Sequence, residues 1–337
     1  MISKNELTKI DFSDMHSIYD NWPSIARNSY KKDWQKIKFE EYDHIIFAGM
    51  GGSGTVCDVF SAIFSKTRKQ ISVVKGYNLP QTINKKSLVL IISVSGNTSE
   101  SISILKKAFK MKTGLMVFSS GGKLEEYCLR KKIEYRKIEE LNSPRASLVN
   151  YIFALLNILE PILGYSNNQI NNSIKKMFEL SENISSKNLT NSNQALKLAK
   201  KINGIPLIYY PWGLQSVAIR FKNTLQENSK SHVMIEDIVE ASHNGIVAWE
   251  KKSNVFPILL QGQKDNIKTK ERWKAVKEFF EEKKIKYLEI YSIEGDIFTK
   301  IINLIYLLDY VTIYKAVLDK IDPTPVKPIK FIKSRTE

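Results

Sequence analysis

Two short polar clusters in this chain have the residue types to hold an anion. Gly49, Gly51, Gly52, Ser53 and Gly54 follow the apolar residues IIFA at 45–48, and Ser93, Ser95, Gly96, Asn97 and Thr98 follow LVLII at 88–92. Glycines can take positive φ and bring backbone N–H groups close to a ligand, and a helix opening just after them adds its own free N–H groups. Uncharged hydroxyls and amides surround a phosphate at low desolvation cost, whereas a nucleotide site would want a P-loop lysine or an acidic ribose partner. Neither is present: no G-x-x-x-x-G-K-[ST] occurs, and the first cluster reads G-x-G-G-x-G. The chemistry to expect is phosphate binding, with Gly52, Ser53, Ser93, Ser95 and Thr98 as its contacts.

The elements that must position these residues follow from periodicity. Each cluster lies between a short apolar run, read as a buried parallel strand, and a helical pattern. The first helix is expected from about Ser53, with Val56, Val59, Phe60 and Ile63 on its apolar face; the second uses Ile102, Leu105 and Phe109. Strands at 44–48, 71–75, 88–92, 114–119 and 133–137 alternate with helices, which predicts a parallel, doubly wound sheet. Ligands of such sheets bind at the carboxyl edge, where both clusters would lie. Ahead of the sheet, His16–Tyr19 and Pro23–Phe39 read as helices, and 147–163 reads as one apolar helix. An Asn- and Ser-rich stretch from 164 to 193 holds one helical segment around 174–180. The α/β pattern then restarts with strands near 205–210, 255–260 and 286–290 and a long apolar helix at 296–318. The tail DPTPVKP at 322–328 cannot be helical throughout because of its three prolines. The expected fold class is α/β, two doubly wound domains at 1–163 and 164–337, each with a central parallel sheet flanked by helices.

Several segments, in order, carry a resemblance: GMGGSG at 49–54, SVSGNT at 93–98, SGGKL at 120–124, SPRASL at 143–148, RFKNTLQENSK at 220–230, HN at 243–244 and DPTPV at 322–326. Together they resemble sugar isomerase (SIS) domains and, more narrowly, the bifunctional phosphoglucose/phosphomannose isomerase family of archaea and bacteria. The resemblance implies two SIS-type domains and an aldose–ketose isomerase that interconverts glucose 6-phosphate, mannose 6-phosphate or both with fructose 6-phosphate. It implies no metal and no cofactor. Two departures, Thr55 after the glycine cluster and Ser143 before Pro144, leave open which sugar is preferred.

Such a reaction opens a sugar ring, moves a proton between C1 and C2 and stabilises an enediolate, so it asks for a base, a nearby cation and an acid/base group at the ring oxygen. By the resemblance, Glu227 is the base, Arg145 steadies the enediolate and His243 acts in ring opening. A guanidinium stays charged where water is excluded, and an imidazole titrates near working pH. Pro144 keeps the residue before it out of a helix, which puts Arg145 at a loop-to-helix junction. The family's C-terminal lysine corresponds to Lys333, with Lys327 and Lys330 as alternatives. His16, His44 and His232 belong to no motif. The family histidine resembles those that reach across a dimer interface, which implies a homodimer with shared active sites.

Composition removes other classes. The chain has 337 residues, 43% hydrophobic and 26% charged, as expected of a globular protein of two ordinary domains. No uninterrupted run of about 18 apolar residues occurs and the N-terminus lacks the apolar core of a signal peptide, so a cytoplasmic protein without membrane association is expected. Cys57 and Cys128 lack the spacing of a zinc site or a disulfide framework. The net charge of +16 comes from lysines spread along the chain, as in KKAFKMK and EEKKIK, without the aromatic interleaving of a nucleic-acid binder. Two other readings fit the same residues. A SIS sensor of sugar phosphates would carry a DNA-binding module that the first 40 residues do not resemble, and an aminosugar-phosphate isomerase would share the phosphate seat without the DPTPV and SPRAS motifs.

Overall fold

The computed structural model describes residues 2–38 and 42–336. The chain forms two compact units, one of Asn21–Ile174 with Ser334–Glu337 and one of Met1–Asp20 with Lys175–Lys333. The division between them falls inside the helix Asn167–Ile184, and the first twenty residues group with the C-terminal half.

The first unit is built on five parallel strands: β1 (His44–Ala48), β2 (Gln70–Val74), β3 (Ser87–Ser93), β4 (Gly114–Ser119) and β5 (Glu134–Lys137), in the order β2-β1-β3-β4-β5. β1 and β3 are buried along their whole length, which is why they read as unbroken apolar runs. On one face Ile46, Val89, Ile91 and Val117 pack with Ile104, Leu105, Ala108 and Leu124. On the other Phe47 stacks on Phe60 at 5.6 Å. The chain leaves β1 and β3 toward opposite neighbours, so their carboxyl ends flank the topological switch point.

Three local expectations for this unit change. The helix expected over Pro23–Phe39 is Trp22–Lys31; beyond it the chain extends, and the Ile37 N–H donates to the Ile158 carbonyl, an otherwise orphaned group at a helix end. Phe39 lies outside the described residues. The single helix at 147–163 is two, Leu148–Ile158 and Glu160–Leu163, because Pro161 has no N–H to continue the ladder. Phe109 is 38% exposed, with Ile104 and Ala108 inside instead, so the buried stripe of its helix lies further round than expected.

The second unit repeats the layout with four parallel strands: β6 (Ile205–Tyr210), β7 (Met234–Asp237), β8 (Val255–Gln261) and β9 (Leu288–Tyr291), in the order β7-β6-β8-β9. The sequence reading missed β7, a four-residue edge strand without an apolar run. The 22-residue helix Ile297–Leu318 is apolar enough, at mean hydropathy 1.5, to pass for a membrane span, yet 89% of that stretch is buried within the protein. It packs on the helices Gln194–Lys201 and Gln215–Asn228 and, through Tyr306 and Tyr310, on residues 16–20. The Tyr306 hydroxyl donates to the Tyr19 carbonyl at 2.9 Å, and Tyr314 donates to the Ile184 carbonyl at 2.7 Å. Asp309 lies on the same helix and receives the buried Arg220 guanidinium through Nε at 3.1 Å and Nη2 at 2.5 Å. Breaking one side of such a pair leaves an uncompensated buried charge, so it holds the two helices in one register.

Candidate active site

In the first unit the two polar clusters meet at the switch point. The glycine turn ends β1 and opens the helix Gly51–Phe64, whose N-cap, Met50, offers no side-chain acceptor. Gly51 takes φ 55°, a left-handed conformation that favours glycine. A Cβ on Gly49 would stand 2.9 Å from the Ile92 carbonyl, so this residue must be small for β1 and β3 to end side by side. Ser53 is 5% exposed, and its Oγ accepts the Val94 N–H at 3.2 Å, joining the first cluster to the second. The Ser93 and Thr98 hydroxyls lie 3.0 Å apart, and Ser95 Oγ accepts the Asn97 N–H at 3.3 Å. Thr98 precedes the helix Ser99–Met111 and makes no side-chain cap bond. Two helix N-termini without side-chain caps, with hydroxyls between them, present donors where an anion is favoured.

The 120–124 segment braces this corner. The Ser120 N–H and hydroxyl both donate to the Val94 carbonyl, at 3.0 and 2.7 Å, and the Leu124 N–H donates to the Gly96 carbonyl at 3.0 Å. Asn97 Oδ1 accepts the Lys123 N–H at 3.1 Å. Gly96, at φ 67°, is pressed so close to the Gly121 carbonyl that no side chain fits. Sequence reasoning noted SGGKL only as a motif; its work here is to hold the 93–98 loop. It also passed over Tyr77, whose hydroxyl lies 3.2 Å from Ser99 Oγ in the first turn of the second helix.

Arg145 joins the same corner. The turn Ser143–Ser147 is pinned by Ser147 Oγ donating to the Ser143 carbonyl at 2.9 Å and by Trp22 Nε1 donating to the Ala146 carbonyl at 3.0 Å. Arg145 is 4% exposed, and its Cα would lie 3.7 Å from a Cβ placed on Gly52, with the Pro144 carbonyl at 3.3 Å. Gly52 therefore lets the arginine turn press against the glycine turn. Gly52, Ser53, Ser93, Ser95, Thr98 and Arg145 all belong to the unit Asn21–Ile174.

Glu227, His243 and Lys333 belong to the other unit. Glu227 lies half-buried in the last turn of Gln215–Asn228, seven residues after Arg220. His243 is exposed in the turn after the short helix Ile238–Ala241, its N–H bonded to the Glu240 carbonyl at 2.9 Å. Beside it Asn244 Nδ2 donates to Glu240 Oε1 at 2.8 Å, while burial and the Glu240 charge push the Glu236 carboxyl above its usual range. Lys327, Lys330 and Lys333 are all exposed on the helix Lys327–Thr336, so exposure does not choose among them. Among the described residues no three His, Cys, Asp or Glu side chains gather as a metal-holding group. Of the other histidines, His16 is buried against Asp11 and His44 Nε2 lies 2.8 Å from Ser72 Oγ. Cys57 and Cys128 are free and buried in helices.

Doubly wound sheets with this edge chemistry define a class. Residues 38–129 match the family model described as the SIS domain, and residues 191–336 match the one described as the bacterial phospho-glucose isomerase C-terminal SIS domain. Among solved structures, a hypothetical protein from Thermus thermophilus superposes with a TM-score of 0.75 over 98% of this chain and 93% of its own, at 13% identity, a likeness of fold. A bifunctional phosphoglucose/phosphomannose isomerase from Caldicellulosiruptor bescii is 30% identical over 95% of this chain and 97% of its own length. One of the same name from Aquifex aeolicus is 28% identical over 89% and 93%. The chain belongs to the bifunctional phosphoglucose/phosphomannose isomerase family.

Proposed function

We propose that the protein interconverts glucose 6-phosphate and mannose 6-phosphate with fructose 6-phosphate. The observation that carries this reading is the hydroxyl-lined seat at the switch point, with the buried Arg145 turn packed against its glycines. The seat takes the 6-phosphate. Glu227 removes the C2 proton of the open-chain aldose and returns it to C1, while the hydroxyl proton on O2 passes to O1. The two aldoses differ only at C2 and give the same enediolate with their C2 protons on opposite faces, so one base serves both when the enediolate turns about its C2–C3 bond to present either face. Arg145 offsets the charge that develops on the enediolate oxygens. His243 exchanges a proton with the ring oxygen during opening, and Lys333 assists at the ring. The exposure of His243 in a single chain supports a homodimer in which it completes the partner's site. The reaction runs in the cytoplasm and uses no metal.

The test is an assay of purified protein with fructose 6-phosphate in the presence of EDTA, resolving the aldose products. Both glucose 6-phosphate and mannose 6-phosphate are expected. Loss of activity on chelation with return on zinc would overturn the metal-free mechanism, and turnover of glucosamine 6-phosphate alone would move the protein to aminosugar chemistry.

A further inference from the structure

The residue three positions beyond Glu227 is Lys230, and its ammonium group is committed to backbone carbonyls. Nζ donates to the carbonyls of Glu227 at 2.5 Å, Pro325 at 2.8 Å and Pro323 at 3.3 Å. An ammonium has three donors and no acceptor, so these three carbonyls match its capacity. The Glu227 carbonyl lies in the last helical turn, where no intrahelical N–H remains for it and where a positive charge also complements the helix dipole. The other two carbonyls belong to the proline-rich segment between the long helix ending at Leu318 and the helix carrying Lys327, Lys330 and Lys333. Within that segment the Thr324 N–H donates to Asp322 Oδ1 at 2.9 Å.

We infer that Lys230 is a positioning residue that ties the turn bearing Glu227 to the 322–326 segment, so that the base and the C-terminal lysine helix are set as one piece. The inference rests on the reading of Glu227 as the base. Its backbone gives a clean handle, because Lys230 takes φ 56°, a conformation in which glycine is relaxed. Lys112, Lys132, Lys284 and Lys320 share that conformation, so the conformation alone selects nothing; the three-carbonyl contact does.

Lys230→Gly therefore removes the ammonium while easing the backbone. The thermal midpoint should change little, because relief of the left-handed backbone offsets the lost carbonyl contacts, while kcat for fructose 6-phosphate should fall about tenfold and KM should move less than about twofold, because the base is misplaced while the phosphate seat is untouched. A primary alkylammonium such as n-butylammonium should restore part of kcat, and Lys230→Met, which keeps length and loses charge, should match the glycine variant without rescue. Unchanged kcat in Lys230→Gly would overturn the inference, as would a loss of kcat that tracks a fall in midpoint and ignores the amine. Glu227→Gln serves as the separate arm. If it is inactive while Lys230→Gly is normal, only the Lys230 inference fails; if it retains C2 proton exchange, the base reading fails and this inference with it.

Discussion

Ser53→Ala and Ser95→Ala remove the same atom from two positions in the seat, and the structure assigns them different consequences. Ser53 Oγ is the acceptor for the buried Val94 N–H at 3.2 Å, so its loss leaves a backbone donor unpaired where water does not reach. An unsatisfied buried donor costs about 1–3 kcal/mol, which for a unit of this size lowers the thermal midpoint by roughly 3–8 °C. Ser95 Oγ accepts the exposed Asn97 N–H at 3.3 Å, a bond that water replaces, so its removal should alter stability by no more than about 0.5 kcal/mol. On the proposed reading both hydroxyls donate to the substrate phosphate, a charged acceptor worth about 1.5–3 kcal/mol each, and KM should rise about tenfold or more in both variants. Calorimetry and steady-state kinetics with fructose 6-phosphate read the two effects independently. An unchanged KM in Ser95→Ala would refute the seat, and an unchanged midpoint in Ser53→Ala would refute the bridge to Val94.

Gly52→Ala should lower kcat severalfold, roughly 3- to 10-fold, with little loss of stability, because its Cβ meets the Pro144 carbonyl at 3.3 Å and displaces the Arg145 turn by a few tenths of an ångström; comparing kcat with the thermal midpoint checks it. His16 predicts a pH dependence of stability. Burial pulls its pKa down, but the Asp11 hydrogen bond at 2.8 Å and the charges of Asp11, Asp14 and Asp20 outweigh that and leave it above the usual value. Its contribution is therefore complete below about pH 6.5 and fades as pH rises through the folded-state value, so urea midpoints should fall over that window in the wild type and stay flatter in His16→Asn.

The strand ends and polar turns that bring the two clusters to one corner were legible in the sequence because their physics is local. A strand buried on both faces leaves an apolar run, and the polar residues that end it stand out against it, as Ser53 does after β1 and Ser93 at the end of β3. Which face of a helix is buried was less legible: Phe109 reads as core by type and sits at the rim because Ile104 and Ala108 already fill the sheet face. β7 was hidden because four half-exposed edge residues carry no pattern. The grouping of residues 1–20 with the C-terminal half includes tyrosine hydroxyls reaching Tyr19 and His16 from almost 300 residues away, which no periodicity records. The brace at 120–124 and the Lys230 contacts were equally silent, since each is a side chain or N–H meeting a distant carbonyl. Arg220 lay in view within RFKNTLQENSK without a role; its partner, Asp309, interrupts an otherwise apolar helix, and an isolated acid in such a helix is the signal that could have been paired with it.

We assign the proton transfer at C2 to Glu227, and solvent hydrogen exchange at that carbon tests the assignment most directly. Glucose 6-phosphate incubated with Glu227→Gln in deuterium oxide should incorporate label at C2 about 10²–10⁴-fold more slowly than with the wild type, while the variant keeps its fold and its KM for phosphate-bearing sugars. Incorporation within about twofold of the wild-type rate, from a folded variant, would contradict the assignment.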